Sequence, residues 1–317
     1  MTTTHLPRSV LVTLATITLA AVLGTTLGAP APASSGRHAP SKKAVTRGRR
    51  TITSPSKPAT TATPNTKESN TTGSGTGEPA LLTVTVDGGF SPTDVTFRTM
   101  PLYYLSADGK LVSQGPQIAT YPLPALPSLV TRQISARGRT ALLEAARAAG
   151  LLGPPVDYGR PNVADLQNTS IVIRADGQVY RQSAYALGFD DKSLTAEQRA
   201  AKQRLTDFVS AISDPAKLFG AGDVGDEGAF PAKAFRLQSR LLSTEELSTS
   251  VAPPSDAVWP LAPSLLTTAP CTPIAGADAA TLVVALSPTT SVTQWRVGAK
   301  KYLIVVRPLL PGEPACP

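Results

Sequence analysis

The residues of this chain best suited to chemistry are acidic. In Gly222 to Gly228, GDVGDEG, three carboxylates (Asp223, Asp226, Glu227) sit on a glycine-rich stretch and could turn oxygens toward a hard cation such as calcium. The stretch lacks the alternating Asp-x-Asp-x-Asp-Gly pattern and the distal glutamate of the established calcium loop. A solvated connector is therefore the heavier reading, and these three stand as weak metal candidates. Two further aspartates raise the same question. LSADGKLV (Leu105 to Val112) and IRADGQVY (Ile173 to Tyr180) share the letters ADG, which put Asp108 and Asp176 beside glycines between apolar runs. Asp-Gly is the pair that a two-residue type I′ turn requires, because both central positions need positive φ. Both aspartates are read as exposed turn residues. One register is expected for both hairpins, with Val112 opposite Leu105 and Tyr180 opposite Ile173.

The missing residues narrow the chemistry further. The two histidines are His5 and His38, both ahead of any segment able to build a core. Ser-His-Asp and Cys-His nucleophile systems and His-based zinc sites are thereby excluded from the body. No phosphate-cradling glycine loop is present, so no nucleotide and no cofactor is expected. The Ser-x-x-Lys match at Ser54 to Lys57 falls in a polar tract where nothing would depress the lysine pKa. Carboxylate pairs remain, drawn from Asp190, Asp191, Asp223, Asp226, Glu227, Glu245 and Glu246, and glycoside hydrolysis needs only two such groups. Aromatic platforms for sugars are sparse, with Trp259 and Trp295 the only tryptophans, and Ser243 with Glu246 reads as a helix cap. No catalytic or cofactor-binding residue is assigned.

Cys271 and Cys316 are the only cysteines of the 317 residues. An even count in an exported chain reads as a disulfide, which by loop entropy is worth roughly 4 kcal/mol. Export is expected from residues 1–33, where Arg8 precedes an apolar run and Ala31-Pro32-Ala33 offers a cleavage site before Ser34. An uncleaved anchor is the alternative, because the run approaches spanning length. Residues 34–79 are rich in Ser, Thr, Pro and basic side chains and cannot offset their chain entropy by burial, so they read as a disordered linker. Such a tether spans about 35 to 40 Å root-mean-square.

The formal charge of +8 sits mostly in that tether, whose eight basic and two acidic residues give +6, while the body from Pro79 carries 21 basic and 20 acidic residues. A near-neutral body does not have the footprint of a nucleic-acid reader. The basic linker suits weak contact with anionic envelope polymers.

The elements that must position these residues alternate between helix and hairpin. SLTAEQRAAKQRLTDFVSAISDP shows helical spacing at Ala201, Leu205, Phe208, Val209 and Ile212, a Thr195/Gln198 capping box and a stop at Asp214-Pro215. SARGRTALLEAARAAGLL has Ser135 as N-cap and Gly150 beyond its end. GADAATLVVALSP is a third, shorter helix, and TQWRVGAKKYLIVVRPLL a third hairpin with Trp295 on one arm and Leu303 and Val305 on the other. Hairpins interleaved with about three helices give an α+β fold of antiparallel sheet covered by helices. Helix then hairpin occurs at Ser135 to Ala186 and again at Gly276 to Leu310, suggesting two similar halves, 80–218 and 231–317, around a Gly/acidic loop at 219–230.

The stretches DGKLVSQGPQIATYP, LLEAARAAGLLGPPVDYGRPNVADLQNTSIVIRADGQVYRQSAYALG and WRVGAKKYLIVVRPLLPGEPACP resemble a family of exported actinobacterial proteins of unknown function. The helix ending in GLL, followed by DYG, VAD and a hairpin, also resembles a wider domain of unknown function in exported bacterial proteins. The resemblance implies no catalytic residues. The chain is expected to be a secreted or envelope-associated, non-enzymatic binding domain of unknown partner, and a carboxylate-dependent hydrolase of cell-wall glycans is the alternative.

Overall fold

In a computed structural model of the protein, residues 78–316 are described, apart from 244 and 247–254. The expected signal, its cleavage site and all but the last two residues of the basic linker lie outside the described residues. The fold is α+β, with two sheets and five helices among the described residues.

The first sheet has seven strands: β1 (Leu82–Gly88), β2 (Tyr103–Leu105), β3 (Lys110–Gln114), β4 (Leu129–Gln133), β5 (Gln167–Ala175), β6 (Gln178–Tyr185) and β7 (Gly228–Ala229). They lie in the order β6-β5-β1-β2-β3-β4-β7, every pair antiparallel. Alternation puts Leu82, Val84, Leu105, Leu111, Ile171 and Ile173 on one face, where they are buried. Two amphipathic helices cover that face, α2 (Ala136–Ala148) with Leu142 and Ala146, and α3 (Ala196–Ile212) with Leu205, Phe208 and Ile212. Their ends are as the sequence indicates. Ser135 accepts the Gly138 N–H, Thr195 and Gln198 form a reciprocal capping box, and Gly150 follows α2 at φ +76°. Asp214-Pro215 ends α3 and begins α4 (Pro215–Phe219), whose Lys217 N–H bonds the Asp214 carboxylate.

The two ADG hairpins differ. Asp176-Gly177 makes a two-residue turn with both residues at positive φ, +52° and +71°, and Tyr180 faces Ile173 as expected. In the other, Leu105 pairs with Leu111 and Tyr104 with Val112, one residue away from the expected register. Only Gly109 has positive φ (+90°), and the loop holds three residues between Ser106 and Lys110. The cause is tertiary. The Gly109 carbonyl accepts the Ile134 N–H at 2.7 Å at the entry to α2, and a Cβ on Gly109 would collide with the Ile134 carbonyl. The longer loop lets the tip dock there, which a free type I′ turn would not require.

The second sheet contains β8 (Ala234–Leu241), β9 (Asp256–Val258), β10 (Thr272–Ala275), β11 (Gln294–Val297) and β12 (Lys300–Pro308) in the order β10-β8-β12-β11-β9, with β9 and β11 parallel and the rest antiparallel. The third expected helix, α5 (Gly276–Leu286), buries Ala279, Leu282 and Leu286 against Phe235, Leu237, Ile304 and Val306. Trp259 and Trp295 meet edge to face at 5.8 Å beside them. Helix then hairpin is present in both halves, but the connections are not alike. After α2 the hairpin joins its sheet through its first arm alone, β5 on β1, and after α5 through both arms, β12 on β8 and β11 on β9.

The chain passes between the sheets repeatedly. Helix α1 (Thr93–Arg98), inserted between β1 and β2, lies against β12, and Arg307 on β12 donates to the Thr99 carbonyl at 3.1 Å. The β3–β4 connection runs to the second core, where Ala125 N–H bonds the Thr289 carbonyl and Leu126 packs. The C-terminal arm returns the other way. Leu310 is buried with Ala80, Met100, Tyr104, Val112 and Leu129 on the second face of the first sheet, and the Tyr104 hydroxyl donates to the Pro311 carbonyl. The stretch 219–230, expected as a connector, holds a 3-10 turn at Ala221–Asp223 and contributes β7 to the first sheet.

Candidate functional site

The three acidic candidates of 222–228 lie in different settings. Asp223 is buried; its carboxylate accepts the Ser135 hydroxyl at 2.6 Å and the Arg137 Nε at 2.7 Å, while its carbonyl accepts the Ser135 N–H at 2.9 Å. The Ser135 hydroxyl, and next the Arg137 guanidinium, hold the carboxyl below the usual range. The backbone permits this approach through Gly138 in the first turn of α2, where a Cβ would lie 3.3 Å from those of Asp223 and Phe219. Asp223 thus joins the start of α2 to the end of α4. Glu227 bonds Arg132 at 2.9 Å, and Asp226 is exposed. Among the described residues no three His, Cys, Asp or Glu side chains are grouped as metal ligands.

The remaining acidic residues singled out by sequence are also spread apart. Asp108 is exposed and bonds Lys110 at 2.7 Å; Lys110, then Ser106, lower its pKa. Asp176 is exposed at its turn. Asp190 is exposed, whereas Asp191 accepts the Ser193 and Asn162 N–H groups at 2.8 and 2.5 Å and orders its own loop. Glu246 accepts the Ser243 N–H and hydroxyl and pairs with Arg240, so its pKa falls to about 2, the Ser243 N–H being the first cause. This is the expected cap, with Glu245 beside it.

A cleft of about 720 Å³ opens between β3, β4 and β7 of the first sheet and β10 and the C-terminal arm of the second half. Its apolar lining includes Phe230, Ile274, Leu309, Leu310 and Pro311. Lys110, Arg132 and Glu313 also line it, each already paired, with Asp108, Glu227 and Arg307 respectively. Asp226 and Lys233 line it too, and among the described residues neither has an ion-pair partner. The Thr131 hydroxyl on the same wall is a buried oxygen without a hydrogen-bond partner. A hydroxyl left this way costs free energy, and being sealed from solvent it presents no group to the cleft.

The arm forming one wall is held at several points. Cys271 and Cys316 form the expected disulfide, with Cα atoms 5.8 Å apart. Cys271 leads directly into β10 and Cys316 ends the arm, so the bond ties two walls of the cleft together. Arg236 donates to the Ala315 and Pro314 carbonyls at 3.0 and 2.8 Å. Arg307, buried, meets both oxygens of Glu313 at 2.8 Å, and Glu313 also accepts the Leu310 N–H. Burial, and next the Glu313 charge, push the Tyr104 phenol up to about 12.

Apart from Asp226, sequence reasoning passed over the side chains that line this cleft, because they come from five separate segments that only the fold assembles. The one available signal was Cys316, which anchors the Pro-rich terminus. No protein-family model, curated protein or solved structure matches the chain.

Proposed function

We propose that the protein is an exported, non-enzymatic binding domain of the cell envelope or extracellular space, and that the cleft between its sheets receives the partner. The observation that carries this reading is the state of the cleft's carboxylates. A glycosidase needs one carboxylic acid to give a proton and a second carboxylate to attack or to activate water. The acidic side chains lining the cleft are Asp226 and Glu313, and both Glu313 oxygens are held by Arg307 and by the Leu310 N–H. A carboxylate clamped by a buried guanidinium is a poor proton donor. The lining is mainly apolar with a few polar groups, the usual make-up of a ligand site of this volume. The disulfide, the apolar N-terminal run and the resemblance to exported proteins support the location. The basic linker then provides weak attachment to anionic envelope polymers, with no role for nucleic acid or nucleotide.

The test uses isolated cell-envelope material. The full-length chain is expected to be retained on it without releasing reducing ends, and Ala275→Trp, which fills the cleft from an exposed position, is expected to reduce retention. Release of reducing ends that Asp226→Asn abolishes would establish the hydrolase instead.

A further inference from the structure

Resting on the cleft as the binding surface, we infer that its ligand is a short peptide segment that presents a carboxylate to Lys233, a cationic group to Asp226 and aliphatic side chains to the rest of the lining. Two observations carry this. First, the charges lining the cleft are compensated except for these two. Lys110 is paired with Asp108, Arg132 with Glu227 and Glu313 with Arg307, while Lys233 and Asp226 are left without ion-pair partners among the described residues and are not paired with each other. Opposite charges facing one apolar cleft complement a ligand that carries both signs, and they disfavour a polyanion or a polycation, each of which would meet one like charge.

Second, the apolar part of the lining is chiefly aliphatic. Ile274, Leu309, Leu310 and Pro311 belong to it, with Phe230 the only aromatic side chain. Sugar rings stack on Trp and Tyr faces, and the two tryptophans are buried in the second core, so the lining suits aliphatic side chains better than a glycan. The walls are fixed before the ligand arrives by the disulfide and the Arg307–Glu313 pair, which limits the ordering cost of binding.

The probe is a library of short synthetic peptides, presented to the disulfide-intact full-length chain. Enriched sequences are expected to contain one acidic and one basic residue together with aliphatic ones. Lys233→Glu and Asp226→Lys are both exposed changes, and each is expected to weaken the selected peptides by about three- to tenfold. The double exchange is expected to restore binding to the reversed sequences. Enrichment indifferent to charge, unaffected by either exchange, would overturn the assignment of Lys233 and Asp226. If no peptide binds but envelope material is still retained and Ala275→Trp abolishes retention, the peptide class is overturned while the cleft reading stands. If neither peptide nor envelope material binds, both fall.

Discussion

Arg307 and Glu313, six residues apart at the end of the chain, form a two-pronged ion pair at 2.8 Å with both side chains largely buried. The pair does more than join its own loop. Arg307 also donates to the Thr99 carbonyl after α1, and Glu313 accepts the Leu310 N–H, so one contact fixes α1, β12 and the arm over the first sheet. Truncating one partner leaves a buried charge without compensation, which costs about 3 to 5 kcal/mol. Glu313→Ala is therefore expected to lower the urea midpoint strongly, and replacing both residues with apolar ones should recover much of the loss. An unchanged midpoint in Glu313→Ala would contradict this account.

The Tyr104 phenol gives the arm a dependence on alkaline pH. It must be neutral to donate to the Pro311 carbonyl, and its pKa is raised to about 12 by burial first and by Glu313 second. A folded pKa above the unfolded value of about 10 adds stability that is complete below pH 10 and is lost as the pH rises through about 12. Unfolding curves across that range should show the wild type losing stability faster than Tyr104→Phe. At neutral pH the phenylalanine variant should be the weaker by about 1 kcal/mol, one hydrogen bond.

Removing the disulfide releases the arm's last anchor and one tie between the cleft walls. Cys316→Ser is expected to cost about 2 to 4 kcal/mol and to raise amide exchange in 309–316 ahead of the sheet cores. A thiol titration of the unreduced protein should find no free thiol, and two free thiols would refute the pairing.

The two ADG turns separate local from tertiary demands on glycine. Gly177 has open space around its would-be Cβ and only its positive φ to lose, so Gly177→Ala should cost about 1 kcal/mol. At Gly109 the same change meets the Ile134 carbonyl, and more than about 2 kcal/mol is expected. Equal thermal shifts for the two variants would mean that the tip of the β2–β3 loop is not docked as described.

Asp223 is expected to act as a structural carboxylate. The Ser135 hydroxyl and Arg137 depress its pKa, so its contribution is present above the unfolded value near 4 and is lost as the pH falls through the lower folded value. Asp223→Asn should flatten the acid limb of the stability profile. Calcium should raise the melting temperature of neither form, and a calcium-dependent rise that the variant lacks would return Asp223 to the metal candidates.

Local signals survived folding and non-local ones were silent. Ser135, Thr195 with Gln198, Gly150 and the Asp176-Gly177 turn act within four residues of themselves, and the structure has them as the sequence indicates. The register of β2 and β3 differed because Gly109 answers to Ile134, 25 residues away, and no periodicity carries that information. The partners of Asp223 are distant in the same way, 86 and 88 residues back at Arg137 and Ser135. The cleft is an extreme case, since Lys233 and Asp226 become a pair of uncommitted charges only after Asp108, Glu227 and Arg307 have been brought to their neighbours.

The return of the arm to the first sheet also sets an order of events. Ala80, Met100 and Tyr104 near the start of the body share their buried cluster with Leu310, and the Tyr104 hydroxyl meets the Pro311 carbonyl, more than 200 residues later. A chain folding from its N-terminus leaves this part of the face incomplete until residues 310 and 311 have been made, and pairings of such long range are slow. Losing residues 310–316 would uncover a surface formed by residues 80–104.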